Sequence, residues 1–386
     1  MHLTREEELV LTGEYGYPLQ KAMEILVALG EIYGADRLIP IKSAQIAGVS
    51  YKNLGKAGME FLRDLADAGA KVSVYTTLNP AGIGNEDFME KQKQILDIYR
   101  RMGVETTSTC TPYYGANLPK FGDHLAWSES SAVSFANSII GARTNREGGP
   151  SSLAAAIVGK TPNYGLHLDK NRKATVIVEI QADMRGFLDY SLLGYYLGRT
   201  LGNDVPYIRG IKPEKVEYLK ELGASMAATG SVALYHVEGE TPEYRRAIDD
   251  NLEKIVVERT GLKEVQEKFN SEWSEIDLIV IGCPHASLQE VKEIAELLKM
   301  RGKPLKIPIY ITASRAVKAL ADSLGYTEII ERYNGRILTD SCLVVSPIDK
   351  WFNGIATNSG KSAFYFASFG FNVRLDEVEK LIMEAP

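Results

Sequence analysis

Residues 276–284 read Ile276-Asp277-Leu278-Ile279-Val280-Ile281-Gly282-Cys283-Pro284, a short apolar run closed by a glycine, a cysteine and a proline. So short a run, rich in β-branched residues, predicts a strand. Leu288 to Met300 follows at helical spacing and is closed by Gly302. Ile307 to Thr312 predicts the next strand, Ala316 to Leu324 the next helix, and Arg336 to Leu338 leads on to Cys342. Alternation of this kind builds a mostly parallel sheet covered by helices, an α/β fold.

The opening of the chain follows the same plan. Arg37-Leu38-Ile39-Pro40-Ile41 predicts a strand that runs into the loop Gln45-Ile46-Ala47-Gly48-Val49-Ser50. Ala57, Phe61, Leu62 and Leu65 fall at helical spacing, and Gly69 ends that helix. Lys71 to Thr77 alternates like a strand and reaches the turn Asn79-Pro80-Ala81-Gly82. A helix from about Glu86 to Met102, closed by Gly103, precedes the strand that delivers Cys110. Glu129-Ser130 lie 19 and 20 residues after Cys110, and Lys361-Ser362 lie 19 and 20 residues after Cys342. In both places a loop of small residues opens an apolar helix. The parallel predicts two related α/β repeats facing each other, residues 1–165 and 271–386, with an α/β region inserted at 166–270. In the insert, Ala174 to Ile180 and Val232 to His236 predict strands and Tyr190 to Leu201 a helix.

Composition bounds the function. The 386 residues are 45% hydrophobic and 24% charged, ordinary for a globular protein. A net charge of -6 disfavours nucleic-acid and membrane-surface binding. The start, Met1-His2-Leu3-Thr4-Arg5 followed by three Glu, has no apolar signal core, and no apolar run approaches the ~20 residues that span a bilayer. Three cysteines, an odd number, argue against a disulfide framework and fit a reducing, cytoplasmic setting.

The chemistry centres on those cysteines. Cys110, Cys283 and Cys342 each follow a β-like run, and a proline follows each shortly after. Residues at the carboxyl ends of strands converge on the crevice where α/β folds bind ligands. Three thiolates on a soft metal centre with one position open make a Lewis-acid site. A single free cysteine is more often a small buried hydrophobe, but the shared proline pattern favours common loop chemistry. Between Gly141 and Ser152, Arg143, Thr144, Asn145, Arg146 and Glu147 crowd a loop flanked by glycines. Arginine forks match carboxylates and phosphates, and Ser151 is placed to cap the following helix. A plain polar connector is the alternative. Asn358-Ser359-Gly360-Lys361-Ser362 approaches a phosphate-loop pattern, but the required first glycine falls on Ile355, which excludes nucleotide hydrolysis on that basis. Lys361 at a helix N-terminus remains a candidate for an anionic substrate group. His124, His167 and His285 lie near these motifs without metal-ligand spacing, so a plain polar role is favoured.

The segments S-A-Q-I-A-G-V-S-Y (43–51), Y-T-T-L-N-P-A-G (75–82), S-T-C-T-P-Y (108–113), W-S-E-S-S-A-V-S-F-A-N-S (127–138), G-A-R-T-N-R-E-G-G-P-S-S-L (141–153), G-C-P-H-A-S (282–287), Ser341-Cys342 and N-S-G-K-S-A-F-Y (358–365) run in order over nearly the whole chain. With them the chain resembles the aconitase X family of iron-sulfur hydro-lyases. The resemblance implies an aconitase-like catalytic core of three α/β/α domains, lacking the swivel domain that other members carry fused. It implies a [4Fe-4S] cluster on Cys110, Cys283 and Cys342. It implies a substrate site lined by Gly48, Val49, Ser50, Asn79, Pro80, Glu129, Ser130 and Lys361; Arg143 and Arg146 are added here as anion contacts. No general base is identified in this chain, and the resemblance implies a serine on a small swivel-domain partner subunit. The implied reaction is dehydration of a β-hydroxy acid: (R)-5-phosphomevalonate, or alternatively cis-3-hydroxy-L-proline. An electron-transfer or regulatory iron-sulfur protein, or a zinc enzyme on the three cysteines, are the readings from other classes.

Overall fold

The computed structural model describes residues 1–115, 117–248 and 251–386. Among them form three parallel sheets and a two-stranded antiparallel ribbon. The first sheet runs, in spatial order, Glu105–Ser108, Tyr75–Leu78, Ser43–Ile46, Leu125–Trp127. The last runs Gly335–Leu338, Ile309–Ala313, Leu278–Ala286, Gly354–Thr357, Asn372–Leu375. Numbered within each sheet in chain order, both run third, second, first, fourth, the last sheet adding a fifth strand. Cys110 follows the third strand of one and Cys342 the third strand of the other; Glu129 and Lys361 follow the two fourth strands.

The sequence pattern misplaced the first sheet strand. Leu38–Pro40 pairs antiparallel with Lys160–Pro162 in the separate ribbon, and the sheet strand is Ser43–Ile46. Its polar residues hid it. Gln45 is fully buried, donating through Nε2 to the Thr109 carbonyl (3.1 Å), and Ser43 accepts from the Trp127 indole N–H (3.2 Å). Buried polar groups partnered in this way are tolerated in a central strand but break the apolar signature. Thus Gln45 and Ile46 belong to the strand, and the loop begins at Ala47.

The middle sheet runs Glu253–Val257, Val176–Ile180, Pro206–Arg209, His236–Val237. The strand expected from Val232 is only His236–Val237. Helices Phe187–Leu201 and Val216–Thr229 pack closely because glycine permits it. A Cβ at Gly194 would stand 2.5 Å from the Leu222 carbonyl oxygen. Val216–Thr229 also lies against Ser130–Phe135 and Gly360–Ser368, the helices opened by Glu129 and by Lys361's loop. The middle unit therefore buttresses both site helices from behind. Apolar faces seal each sheet: Ile46, Leu78 and Ile95 in the first unit and Ile279, Ile309 and Ile330 in the last are fully buried, each worth about 1.5–3 kcal/mol.

Candidate functional site

The carboxyl edges of the first and last sheets face one another. Ala81 N–H donates to the Asp340 carbonyl (2.8 Å) and Cys342 N–H to the Ala81 carbonyl (2.9 Å). Ser50 Oγ donates to the Val345 carbonyl (2.7 Å). Between the edges lies a cavity of about 430 Å³ lined by Cys110, Cys283 and Cys342 together with Gly48, Asn79, Pro80, Glu129, Ser130, Arg146 and Lys361.

Local structure explains each thiol. Cys110 follows strand Glu105–Ser108. Cys283 sits within Leu278–Ala286, where the pairing with the neighbouring strand is irregular between Ile281 and Ala286. Gly282 (φ +94°) makes that departure, since a Cβ there would lie 2.3 Å from the Thr312 carbonyl oxygen. Ser359 Oγ, capping Gly360–Ser368, donates to the Cys283 carbonyl (2.5 Å). Cys342 follows a turn in which Asp340 adopts φ +58° and accepts the Ser108 N–H (3.0 Å). Burial pushes all three thiols above their ordinary pKa, Cys110 to about 12, and Cys283 and Cys342 each feel the charge of neighbouring members of the trio or of Glu129. As the side chains stand, no group of three or more His, Cys, Asp or Glu among the described residues is placed around a single ion. All three cysteines line the one cavity.

Glu129 and Lys361 are the charged heart of the cavity. The Lys361 ammonium donates to Glu129 Oε1, and Asn79 Nδ2 donates to Oε2 (2.6 Å). Ser131 N–H and Oγ also donate to Oε1 (3.4 and 3.1 Å). Burial opposes the Glu129 charge, but Lys361 and these hydrogen bonds outweigh it and bring the carboxyl down to about 2. Burial likewise opposes the Lys361 charge, and Glu129 reverses the balance, so its pKa lies above the ordinary lysine value. Both groups stay ionised at neutral pH.

Three further residues named from sequence lie apart from the cavity lining. Val49 buries its side chain in the first core. Ser50 caps Tyr51–Asp67, accepting the Lys52 N–H (3.2 Å). Arg143 turns away: it pairs with the Asp169 carboxylate and donates to the His167 carbonyl (3.3 Å). Ser151 is not the cap of its helix. Gly148 is, and Ser151 reaches back to accept the Gly148 N–H (3.0 Å) while donating to the Glu147 carboxylate (2.6 Å).

Lys52, Tyr365 and Phe369 line the cavity and were missed. Tyr365 and Phe369 stand four and eight residues after Lys361, the spacing of one helix face. Lys52 donates to the Ser346 carbonyl (3.1 Å), and its ammonium lies 4.7 Å from the Phe369 ring centroid. Neither Lys52 nor Arg146 has a carboxylate partner among the described residues, which leaves two uncompensated cations on the cavity wall.

Comparison with known proteins agrees with this geometry. The profiles of the aconitase X first, second and third domains match residues 1–170, 174–267 and 276–386. The phosphomevalonate dehydratase large subunit of Thermococcus kodakarensis is 78% identical over 100% of both chains, and that of Methanocaldococcus jannaschii is 50% identical over 99% of both. A cis-3-hydroxy-L-proline dehydratase of Hypocrea jecorina is 33% identical over 95% of this chain and 65% of its own length. The crystal structure of Thermococcus kodakaraensis aconitase X in its holo-form superposes with a TM-score of 0.99 over 100% of both chains, at 78% identity. The chain belongs to the aconitase X family.

Proposed function

From membership of that family we propose that this chain is the large subunit of a hydro-lyase that dehydrates (R)-5-phosphomevalonate to trans-anhydromevalonate 5-phosphate. The observation that carries the reading is a cavity in which three thiols meet a Lys361–Glu129 ion pair, in a chain 78% identical over its full length to a protein named for that activity. Identity to the hydroxyproline dehydratase is much lower, so that substrate is second.

Cys110, Cys283 and Cys342 suit a [4Fe-4S] cluster. In such a cluster each liganded iron would take one protein sulfur, and three thiols lining one cavity are a donor set that would hold it. Three sulfurs leave the fourth iron without a protein ligand. When bound, that cluster supplies an open Lewis-acid position for the substrate hydroxyl and carboxylate.

The chain's own residues do the rest. Lys361 Nζ, held charged, faces negative charge that builds up on the substrate carboxylate as the α-proton leaves. Glu129 and Asn79 fix the direction of that ammonium. Arg146 and Lys52 offer cations to the remaining anionic group. No hydrogen bond among the described residues uses the N–H of Gly48, Val49 or Ser50. These amides precede a single turn, which a kink at Gly55 (φ +58°) separates from the rest of Tyr51–Asp67, so free backbone N–H groups of the loop, rather than a long helix, are what suit phosphate oxygens. With a pKa of about 2, Glu129 is too weak a base to remove the α-proton. We assign that proton to a serine of a small swivel-domain subunit that also closes the cavity against water. The word "large subunit" in the names of the relatives supports such a partner. No helix of the described residues is long and apolar enough to cross a membrane, and a reducing, cytoplasmic setting suits three free thiols.

The test is turnover by the anaerobically loaded chain together with its small subunit. A higher kcat/KM for (R)-5-phosphomevalonate than for cis-3-hydroxy-L-proline is expected. The reverse preference overturns the substrate assignment and leaves the reaction class standing.

A further inference from the structure

The His285 ring is 1% exposed and forms part of the cavity wall. Its hydrogen-bonding groups reach separate loops. Nε2 lies 3.0 Å from the carbonyl oxygen of Ser341, the residue before Cys342. A carbonyl only accepts, so Nε2 carries the proton and Nδ1 is left as the acceptor. Nδ1 lies 3.0 Å from Oγ1 of Thr109, the residue before Cys110, and that hydroxyl must donate to it. Thr109 Oγ1 in turn accepts the Thr111 N–H (3.1 Å), which fixes its direction across the Cys110 turn. The peptide of His285 adds two more ties. Its N–H points at Cys110 Sγ (3.1 Å), and its carbonyl accepts from the Lys220 ammonium (3.3 Å). Lys220 is itself buried and paired with Glu290 at 2.5 Å. His285 stands two residues after Cys283. One residue is thus joined to all three thiol-bearing loops, which lie at positions 110, 283 and 342 and come from two different sheets.

We infer that His285 is a positioning residue that sets the mutual placement of Cys110, Cys283 and Cys342 for iron-sulfur binding; the inference rests on the cluster reading above. Without the ring, the Cys110 and Cys342 turns each lose a side-chain hydrogen bond to the Cys283 segment, and only the His285 N–H to Cys110 Sγ and the Ser108–Asp340 bond remain among the ties described. The sulfurs then pay the cost of ordering when they bind iron. The N–H directed at Cys110 Sγ withdraws charge from that sulfur, so moving it alters the electronic state of the bound group as well as its retention. A histidine serving only as core filling would affect folding and nothing else.

The experiment uses the full chain reconstituted anaerobically with ferrous iron and sulfide. Wild type, His285→Phe, His285→Gln and Thr109→Val are compared. Iron and sulfide per chain, the rate of iron loss to a chelator and the electron paramagnetic resonance spectrum after reduction are read, with thermal unfolding of the metal-free chains as the folding control. His285→Phe is expected to release iron ~10-fold faster or more and to change the spectrum. His285→Gln keeps a donor for the Ser341 carbonyl and is expected to recover part of the loss. Thr109→Val removes the Nδ1 partner and the acceptor of the Thr111 N–H while leaving the ring in place, and a changed spectrum with faster iron loss at unchanged melting is expected. Iron content, release rate and spectrum equal to wild type in His285→Phe overturn the inference. If that variant fails to fold, wild-type behaviour of Thr109→Val overturns it instead. A wild-type chain that takes up no iron and sulfide sinks the cluster reading, and the positioning role with it.

Discussion

Lys361 and Glu129, 232 residues apart in the chain, form one buried ion pair across the cavity that separates the first and last sheets. Each occupies the start of a helix following the fourth strand of its sheet, so matching topologies bring opposite charges to one point. Removing either partner strands the other charge in a buried place, which is costly. Lys361→Met and Glu129→Gln are expected to lower kcat by about 10²-fold or more while iron content stays near wild type. Steady-state turnover alongside iron analysis checks this; unchanged kcat in either variant removes that residue from the working site.

Each thiol occupies a separate segment of the chain, and no fourth cysteine exists to replace one. Cys110→Ala, Cys283→Ala and Cys342→Ala are each expected to abolish or severely reduce an oxygen-labile iron-sulfur cluster. Iron and sulfide analysis of anaerobically reconstituted protein decides it. A variant with full iron content and activity leaves the ligand set.

The two arginines of the Gly141–Ser152 loop are expected to differ. Arg146 lines the cavity, whereas Arg143 is tied to Asp169 and the His167 carbonyl. Arg146→Ala should raise KM by about tenfold, the loss of one charge-assisted contact of ~1.5 kcal/mol. Arg143→Ala should leave KM within about twofold, as expected of a residue with no place at the substrate. Equal effects on KM would count against the separation.

Glu221 lies buried beneath the helix that carries Lys361. Its Oε1 accepts from the Gly360 N–H (3.1 Å) and from Ser225 Oγ (2.8 Å), while Oε2 has no partner among the described residues. Burial raises its pKa from the ordinary 4.5 to about 7, against the pull of the serines. A carboxyl raised in the folded state costs nothing below its unfolded pKa. Its cost grows as pH rises from about 4.5 and is complete above about 7. Glu221→Gln should flatten the pH dependence of stability across that window and stabilise the chain at pH 8 by up to ~3 kcal/mol. Denaturant melts at several pH values measure it, and parallel curves for parent and variant would contradict the assignment.

Glu129, its carboxyl brought down to about 2, is too weak a base for the α-proton. The cluster-loaded chain alone is therefore expected to be inactive, and adding the small swivel-domain subunit to restore turnover. Assays with and without that partner test it. Full activity of the chain by itself would place both base and lid within these 386 residues.

The sequence by itself determined the strand–helix alternation, the position of Cys110 and Cys342 beyond strand ends and the equal spacing that placed Glu129 and Lys361 at matching points of two repeats; Cys283, expected at a strand end, lies within Leu278–Ala286 where its pairing turns irregular. These are local signals, because apolar periodicity, glycine stops and caps report what each segment buries within a few turns. The sheet strand Ser43–Ile46 escaped because its polar side chains find partners in residues far along the chain, such as Thr109 and Trp127. Tertiary structure alone decided which arginine faces the cavity, that Glu129 meets Lys361, that Lys52 reaches the cavity wall from a neighbouring helix, and that His285 touches all three cysteine loops. Those facts depend on strand order and on how two sheets face each other. Contacts between residues more than a hundred positions apart are set by where the backbone carries each loop, and no spacing along the chain records that.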